Sequence, residues 1–481
     1  MIHENGDVNK LKGKGGVGMR ATRFLVLLCL GFLFFMVSAA RGQDNSSRVE
    51  AEWANRMKES NFRDQWPLWL AVEGEAGKFA SEFGAAAIPV LVASMKDQHW
   101  HVRLGAAAAL SMLGPTASVA VPTLLNTLND EDKMVRYEAA VALGSIGAQP
   151  QLVIAALSNA LKDKEAVVRY GAATGLAEFG PMADAAVPAL MEVFRERHRS
   201  KDWCPIDIAE IALIKIGSAA LPFLINALKD KDADVRARVA STLGSIGSEA
   251  GTAAPYLAEG LNDKDKMVRY KVAEALGRIG TPAQVAVPAL IVALRDKDGD
   301  IREQVARALG DIGSGSEPAI PALVGALLQD ENTSVRCAAA YAIGDIRAPE
   351  EMAIQALIRV FEKKDDCSIP VVWALARFGP ASAPAAPSLI SRYRDDVRFG
   401  DLNVEIFAAL DSIGVAAIPA LIDAVKDKRT DIRLFAIQRL GYLGSEAMAA
   451  IPVLKNALND KNALVRAEAQ NALYHIESQS K

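Results

Sequence analysis

The chain of 481 residues is poor in the side chains that carry chemistry: five histidines, four cysteines and only 6% aromatics. His3, His99, His101, His198 and His475 are scattered along it. His99-Trp100-His101 offers two imidazoles without further close ligands, so neither a metal, nor a cofactor, nor a catalytic residue is expected. Basic charge is not in excess, with 54 Lys and Arg against 58 Asp and Glu for a net charge of -4. That excludes the broad positive field of a nucleic-acid binder. Composition shifts are missing too, although the chain is too long for one ordinary globular core.

The one long apolar run spans residues 24–40, FLVLLCLGFLFFMVSAA, behind Lys10, Lys12, Lys14, Arg20 and Arg23. Its small closing residues read as a secretory signal peptide over 1–40, cleaved near Ala40, and imply an exported, periplasmic or extracellular chain. The other reading is a membrane anchor retained at 24–40. Met19 opens a tidier signal, and the expectation that follows is that translation truly starts there. Residues 13–20, GKGGVGMR, imitate a phosphate-binding loop, but Met19 and Arg20 stand where its lysine and hydroxyl belong. Residues 41–49 read as a flexible mature N-terminus, and 50–86, with Trp53, Trp66, Trp69 and Phe79, as a degenerate helical cap.

From there to residue 478 the chain repeats itself, and Val287 to Gly313, VPALIVALRDKDGDIREQVARALGDIG, shows the unit. Pro288 suits the first turn of a helix, where its missing N–H would be unsatisfied anyway. Val287, Leu290, Ile291 and Leu294 share one face of that helix. The polar run Asp296 to Asp300 makes a corner and an N-cap for a second helix. Ile301, Val305, Ala306, Leu309 and Ile312 continue the apolar stripe, and Gly313 is expected as a left-handed C-terminal residue.

Pro222, Pro255, Pro288 and Pro321 are spaced by 33 residues. The same proline stands at 89, 122, 188, 387, 419 and 452, with Ala155 and Gln355 filling two gaps, which makes twelve repeats over 87–478. An Asp followed six residues later by an Arg marks nine of the twelve. The pairs are Asp97 with Arg103, Asp130 with Arg136, Asp163 with Arg169, Asp230 with Arg236, Asp263 with Arg269, Asp296 with Arg302, Asp330 with Arg336, Asp427 with Arg433, and Asp460 with Arg466. Their fixed place in the corner points to a structural ladder, each guanidinium bonding an Asp of its own or the neighbouring corner and capping loop carbonyls.

The pattern I/V-P-x-L-hydrophobic-x-A-L-x-D, then V-R, then A-L-G-x-I-G, resembles HEAT repeats of the short type named after phycobilisome lyases, over about 79–478. The resemblance implies an all-α, right-handed α-solenoid with first helices on the convex side and second helices lining the concave side. Deoxyhypusine hydroxylases share the repeat, but their His-Glu pairs are absent from this array. A bilin-lyase-like or oxidoreductase-like enzyme or accessory factor is the alternative to a scaffold that binds protein or peptide.

Binding residues are expected where repeats differ. Positions one, five and nine after each Arg form a variable stripe that includes Tyr137, Tyr170, then Tyr270, Glu274 and Arg278, then Glu303, Arg307 and Asp311, then Cys337, Tyr341 and Asp345, and Tyr442. Repeats four, nine and ten lose the ladder Arg. Arg195, Arg197, Arg199 and Trp203 in the fourth and Trp373 in the ninth are further candidates for partner contact. Of the cysteines beyond the leader, Cys204 and Cys367 lie five repeats apart, on the order of 40–50 Å at the spacing of packed helices, so no internal disulfide is expected. Arg269→Ala should strip a partly buried carboxylate of its partner and destabilise the array by about 1–3 kcal/mol, read as a lowered melting temperature.

Overall fold

In the computed structural model, residues 45–58, 68–196, 204–363, 366–393 and 400–478 are described, and all regular structure among them is helical. The apolar run 24–40, the GKGGVGMR segment, Arg197, Arg199 and Trp203 lie outside them. The chain divides into two compact units, Met1–Ala212 and Leu213–Lys481. The first holds the cap and the array as far as the second helix of repeat four. The second holds repeats five to twelve.

Most repeats add one segment to the expected pair, the exceptions being repeats three and nine, whose first helices Pro150–Ala160 and Glu351–Glu362 have no 3-10 turn before them. In repeat seven a 3-10 turn, Thr281–Ala286, leads into the short first helix Val287–Ala293, and the second helix runs Gly299–Ile312. Pro288 sits in the first turn as expected. The side chain of Asp298 caps the second helix by accepting from the Asp300 N–H at 3.0 Å. Gly313 has φ +75° but ψ -138°, outside the left-handed helical region, because the chain must swing at once into the next 3-10 turn. Val287, Leu290, Leu294, Ile301, Val305, Ala306, Leu309 and Ile312 are buried, while Ile291 is only half covered. Among the described residues four apolar stretches, Leu68–Ser94 and Trp100–Thr127 included, have the length and hydropathy to cross a membrane. Both of these are two helices broken at a glycine of positive φ, Gly84 or Gly114, with part of their surface covered by neighbouring helices.

Successive second helices touch backbone to backbone, and the glycine of A-L-G permits it. A methyl group at Gly244 would stand 2.8 Å from the Ala275 Cα of the next repeat. At Gly277 it would meet the Ala308 Cα at 3.1 Å, and at Gly310 the Ala342 Cα at 3.0 Å. Any side chain at these positions would push the helices apart.

A file of guanidinium–carboxylate bonds runs from corner to corner. Arg236 donates from Nε and Nη2 to both oxygens of Asp263, one repeat on, at 2.7 and 2.8 Å. Its Nη1 donates to the Asp230 carbonyl in its own corner at 2.8 Å. Asp263 also accepts the N–H of Asp265 at 2.9 Å, so the carboxylate ties its own loop while receiving the neighbour's fork. The same bidentate bond joins Arg103 to Asp130, Arg136 to Asp163, Arg269 to Asp296, Arg302 to Asp330, and Arg433 to Asp460. Arg169 departs from this pattern and donates to Glu196 at 2.8 Å. Arg336 and Arg466 cap the carbonyls of Asp330 and Asp460 in their own corners. Arg236, through its hydrogen bonds, holds the Asp263 carboxyl below the usual carboxylate range despite partial burial.

Cys337 and Cys367 form a disulfide, which corrects the expectation that there would be none. The distance argument was applied to Cys204 and Cys367. A separation of 30 residues is close to one repeat, and it sets Cys337 beside Cys367 with Cα atoms 5.0 Å apart. Cys204 is free.

The first unit opens with the helices Asn45–Arg56 and Leu68–Phe83. Trp53, Met57, Val72 and Phe79 are buried, and Trp53, Met57 and Val72 close over Gly105 of repeat one. Two carboxyls are trapped nearby. Burial raises Glu138 of repeat two to about 8, with repulsion from Glu73 adding to it, and burial raises Glu73 to about 7. Both ordinarily titrate near 4.5. Between that value and the raised ones the folded chain keeps protons that the unfolded chain has lost. Stability from this pair is therefore full below about pH 4.5 and declines as pH rises towards 8. Glu138→Gln should flatten the fall in urea stability of the first unit between about pH 5 and 8, and an unaltered slope would contradict the assignment.

Candidate functional site

The variable stripe is the accessible side of the second helices. Following Arg236, Val239, Ala240 and Leu243 are fully buried. By contrast Tyr137, Tyr170, Tyr270, Glu274 and Glu303 are partly exposed, and Arg278, Arg307, Asp311, Tyr341 and Tyr442 are exposed. Helical spacing of four residues forces this split, since positions one, five and nine share one face and the core positions share another.

Three consecutive stripes in the second unit converge. Tyr270, Glu274 and Arg278 of repeat six, Arg307 and Asp311 of repeat seven, and Tyr341 and Asp345 of repeat eight line one cleft of about 380 Å³. Gln304, Ala338 and Ala342 complete its walls. Glu303 lines an adjoining cleft of about 440 Å³, which shares Tyr270, Gln304 and Arg307 with the first and includes Lys266, Lys271 and Asp300.

The basic groups here are already committed. Arg278 donates to Glu274 at 2.7 Å, and Lys271 reaches the other oxygen of the same carboxylate at 2.7 Å. Arg307 donates to Glu303. Asp345 has the weaker contact, with Arg377 at 3.4 Å. Asp311 makes no hydrogen bond or ion pair with any of the described residues. Its carboxyl is raised, by burial first and then by repulsion from Asp345, with Arg307 opposing. The Asp345 carboxyl is raised by burial, with Arg377 opposing.

The far wall is built with repeat nine. Tyr341 meets Trp373 edge to face at 5.3 Å between centroids, and the Arg377 guanidinium lies 5.0 Å from the Trp373 ring centroid. Arg377 escaped the sequence reading because repeat nine has no ladder Arg to count from. Counting from Ser368, which stands in that place, the one-five-nine rule yields Ile369, Trp373 and Arg377. The other positions are not brought to this cleft. Tyr137 and Tyr170 belong to the first unit, as does Arg195, which ends the helix Val187–Phe194. Tyr442 is exposed in repeat eleven, with the Arg439 guanidinium 5.2 Å from its ring centroid. His99 leans on Asp97 at 2.9 Å while His101 is buried, and no three His, Cys, Asp or Glu side chains among the described residues are grouped to hold a metal ion.

A family model described as HEAT repeats matches residues 121–202, 209–368 and 405–481 in overlapping segments, about two-thirds of the chain. That description is of HEAT repeats in general, and the narrower phycobilisome-lyase type is not what it establishes. No curated protein matches the chain. A solved structure of importin beta is similar over 97% of this chain and 74% of its own, at 14% identity and a TM-score of 0.53. Kap95p, solved with RanGDP, is similar over 95% of this chain and 76% of its own, at 12% identity and a TM-score of 0.46. An engineered protein aligns over 81% of this chain and 98% of its own, at 22% identity and a TM-score of 0.34.

The expectation of an exported, periplasmic or extracellular chain is not upheld, since the solved structure that shares this fold is importin beta. The apolar run that suggested export lies outside the described residues. The fold is the all-α, right-handed HEAT/armadillo-like solenoid that the repeat pattern predicts. The chain belongs to the HEAT-repeat family.

Proposed function

We propose that the chain is a non-enzymatic scaffold that grips a protein or peptide segment along the second-helix stripe, with repeats six to eight as the anchor. The observation that carries this is the convergence of Tyr270, Glu274, Arg278, Arg307, Asp311, Tyr341 and Asp345, residues that vary from repeat to repeat, on one open cleft. Positions that serve only the repeat would be the same in each.

The chemistry of the cleft favours a segment that brings a cation between two tyrosines. Its own Arg side chains are engaged by Glu274 and Glu303, whereas Asp311 has no such partner and Asp345 is only loosely held. A lysine or arginine entering there would relieve the repulsion between Asp311 and Asp345 and lay its stem on Tyr270 or Tyr341. Tyr137, Tyr170, Tyr442, Arg195, Arg197, Arg199, Trp203 and Trp373 are further contact positions in this reading. No observation favours a bilin-lyase-like or oxidoreductase-like activity over it.

Selection of a random peptide library on the intact chain tests the reading. Enriched peptides should carry Lys or Arg, and Asp311→Asn combined with Tyr341→Phe should weaken them, with Asp311→Asn alone accounting for most of the loss, while the helical circular dichroism of the chain is retained. Enriched peptides without basic residues, or equal affinity for the variant, would refute it.

A further inference from the structure

Repeat nine keeps the regular glycine contact with repeat eight, a methyl group at Gly344 standing 2.8 Å from the Ala374 Cα, but its corner is held by means that the regular repeats do not use. With Ser368 in the place of the ladder Arg, it has no guanidinium there to cap its corner carbonyls. Arg392, from the first helix of repeat ten, supplies one instead, donating from Nη1 to the Phe361 carbonyl at 2.6 Å and to the Ser368 hydroxyl at 3.1 Å. The corner also carries Cys367, wholly buried and bonded to Cys337 on the second helix of repeat eight.

Cys337 is itself a stripe residue, the first of Cys337, Tyr341 and Asp345. Each of the three has its own contact in repeat nine: Cys367 through the disulfide, Trp373 through the edge-on rings, and Arg377 through the ion pair. Tyr341 and Asp345 are also walls of the cleft. Cys337 is half buried whereas Cys367 is wholly buried, so Cys337 is the half of the bond that an external thiol meets first.

We propose that Cys337–Cys367 is a redox-operated clasp, whose disulfide fixes the corner of repeat nine against repeat eight and whose reduction releases that corner together with the Tyr341–Trp373 and Asp345–Arg377 wall of the cleft. A dithiol supplies the electrons. Its thiolate attacks Sγ of Cys337, the S–S bond breaks, and Cys367 leaves as a thiolate that takes a proton. The second thiol of the reagent then attacks the mixed disulfide and expels Cys337, which is protonated in turn. Two electrons and two protons pass from the dithiol, which ends as its own disulfide.

Once the cross-link is gone, the Gly344–Ala374 helix contact remains, and beside it on the stripe side only an aromatic pair and a partly exposed ion pair, each weak on its own. The 30-residue loop that the disulfide closes then regains freedom in the opened state. Local opening should therefore concentrate in residues 351–378. The consequence for the cleft rests on the binding function proposed above, whereas the loosening of the corner does not.

Hydrogen exchange of the full chain, with and without dithiothreitol, tests the clasp. Reduction should speed exchange within 351–378 by about tenfold or more and leave 233–312 unchanged. The Cys337→Ser, Cys367→Ser double variant should show the fast exchange under both conditions. Protection of 351–378 that survives reduction would overturn the clasp, as would a double variant that still responds to dithiothreitol. Affinity for a selected basic peptide should fall on reduction of the native chain. If exchange responds and affinity does not, the clasp stands and its reach to the cleft is refuted.

Discussion

The fork of an arginine in one corner closing on the aspartate of the next is the contact on which the array depends. It does two things with one side chain: Nε and Nη2 reach across to the neighbour, and Nη1 caps a carbonyl that the turn leaves without a partner. The aspartate is used twice as well, since it holds a backbone N–H of its own loop while it accepts the fork. Charges this well covered are tolerable only when every atom of the pair is satisfied, and a bidentate geometry with added backbone bonds meets that condition. Repeated from corner to corner, it fixes both the turn inside a repeat and the step between repeats.

The ladder could not close without a second constraint on the opposite end of the second helix. Gly244, Gly277 and Gly310 let successive helices come into backbone contact, so apolar packing, glycine contact and ion pair all demand the same spacing. What those demands leave over is the stripe one, five and nine residues after the arginine. It carries none of the ladder's bonds and is free to vary, and in repeats six to eight it gathers tyrosines and carboxylates around one cleft. Repeat nine shows how the rule is replaced when its arginine is lost, for there Arg392 takes over the corner and a disulfide ties the helix back.

Most of the fold was legible because a repeat states its own rules many times. Pro288 announced the first helix, the Asp-rich corner announced the break, and the apolar spacing told core from surface. The 3-10 turn was not legible, since G-S-G-S-E-P-A after Ile312 reads as loop until the chain is seen turning directly into the next helix. The glycine of A-L-G looked like part of a helix end, and only the approach of the next backbone explains it. At the cleft, helical spacing placed Tyr270, Glu274, Arg307, Asp311 and Tyr341 on one face, but not the convergence of three repeats on one hollow. Arg377 was missed because it sits where the landmark arginine is absent, so the count that organised the other repeats had no starting point. The Cys337–Cys367 bond was missed because the distance was weighed only between Cys204 and Cys367. The apolar run at 24–40 pointed to export, a reading that the likeness to importin beta does not uphold.

A double-mutant cycle on one rung measures the central interaction directly. Arg269→Met and Asp296→Asn, alone and together, would be compared by urea unfolding of the full chain. If the fork joins neighbouring repeats as described, the two losses should fall short of additivity by about 1.5–3 kcal/mol, the range for a covered, charge-assisted pair. Losses that add to within about 0.5 kcal/mol would show that the two side chains do not act on each other, and that the array is held by packing alone.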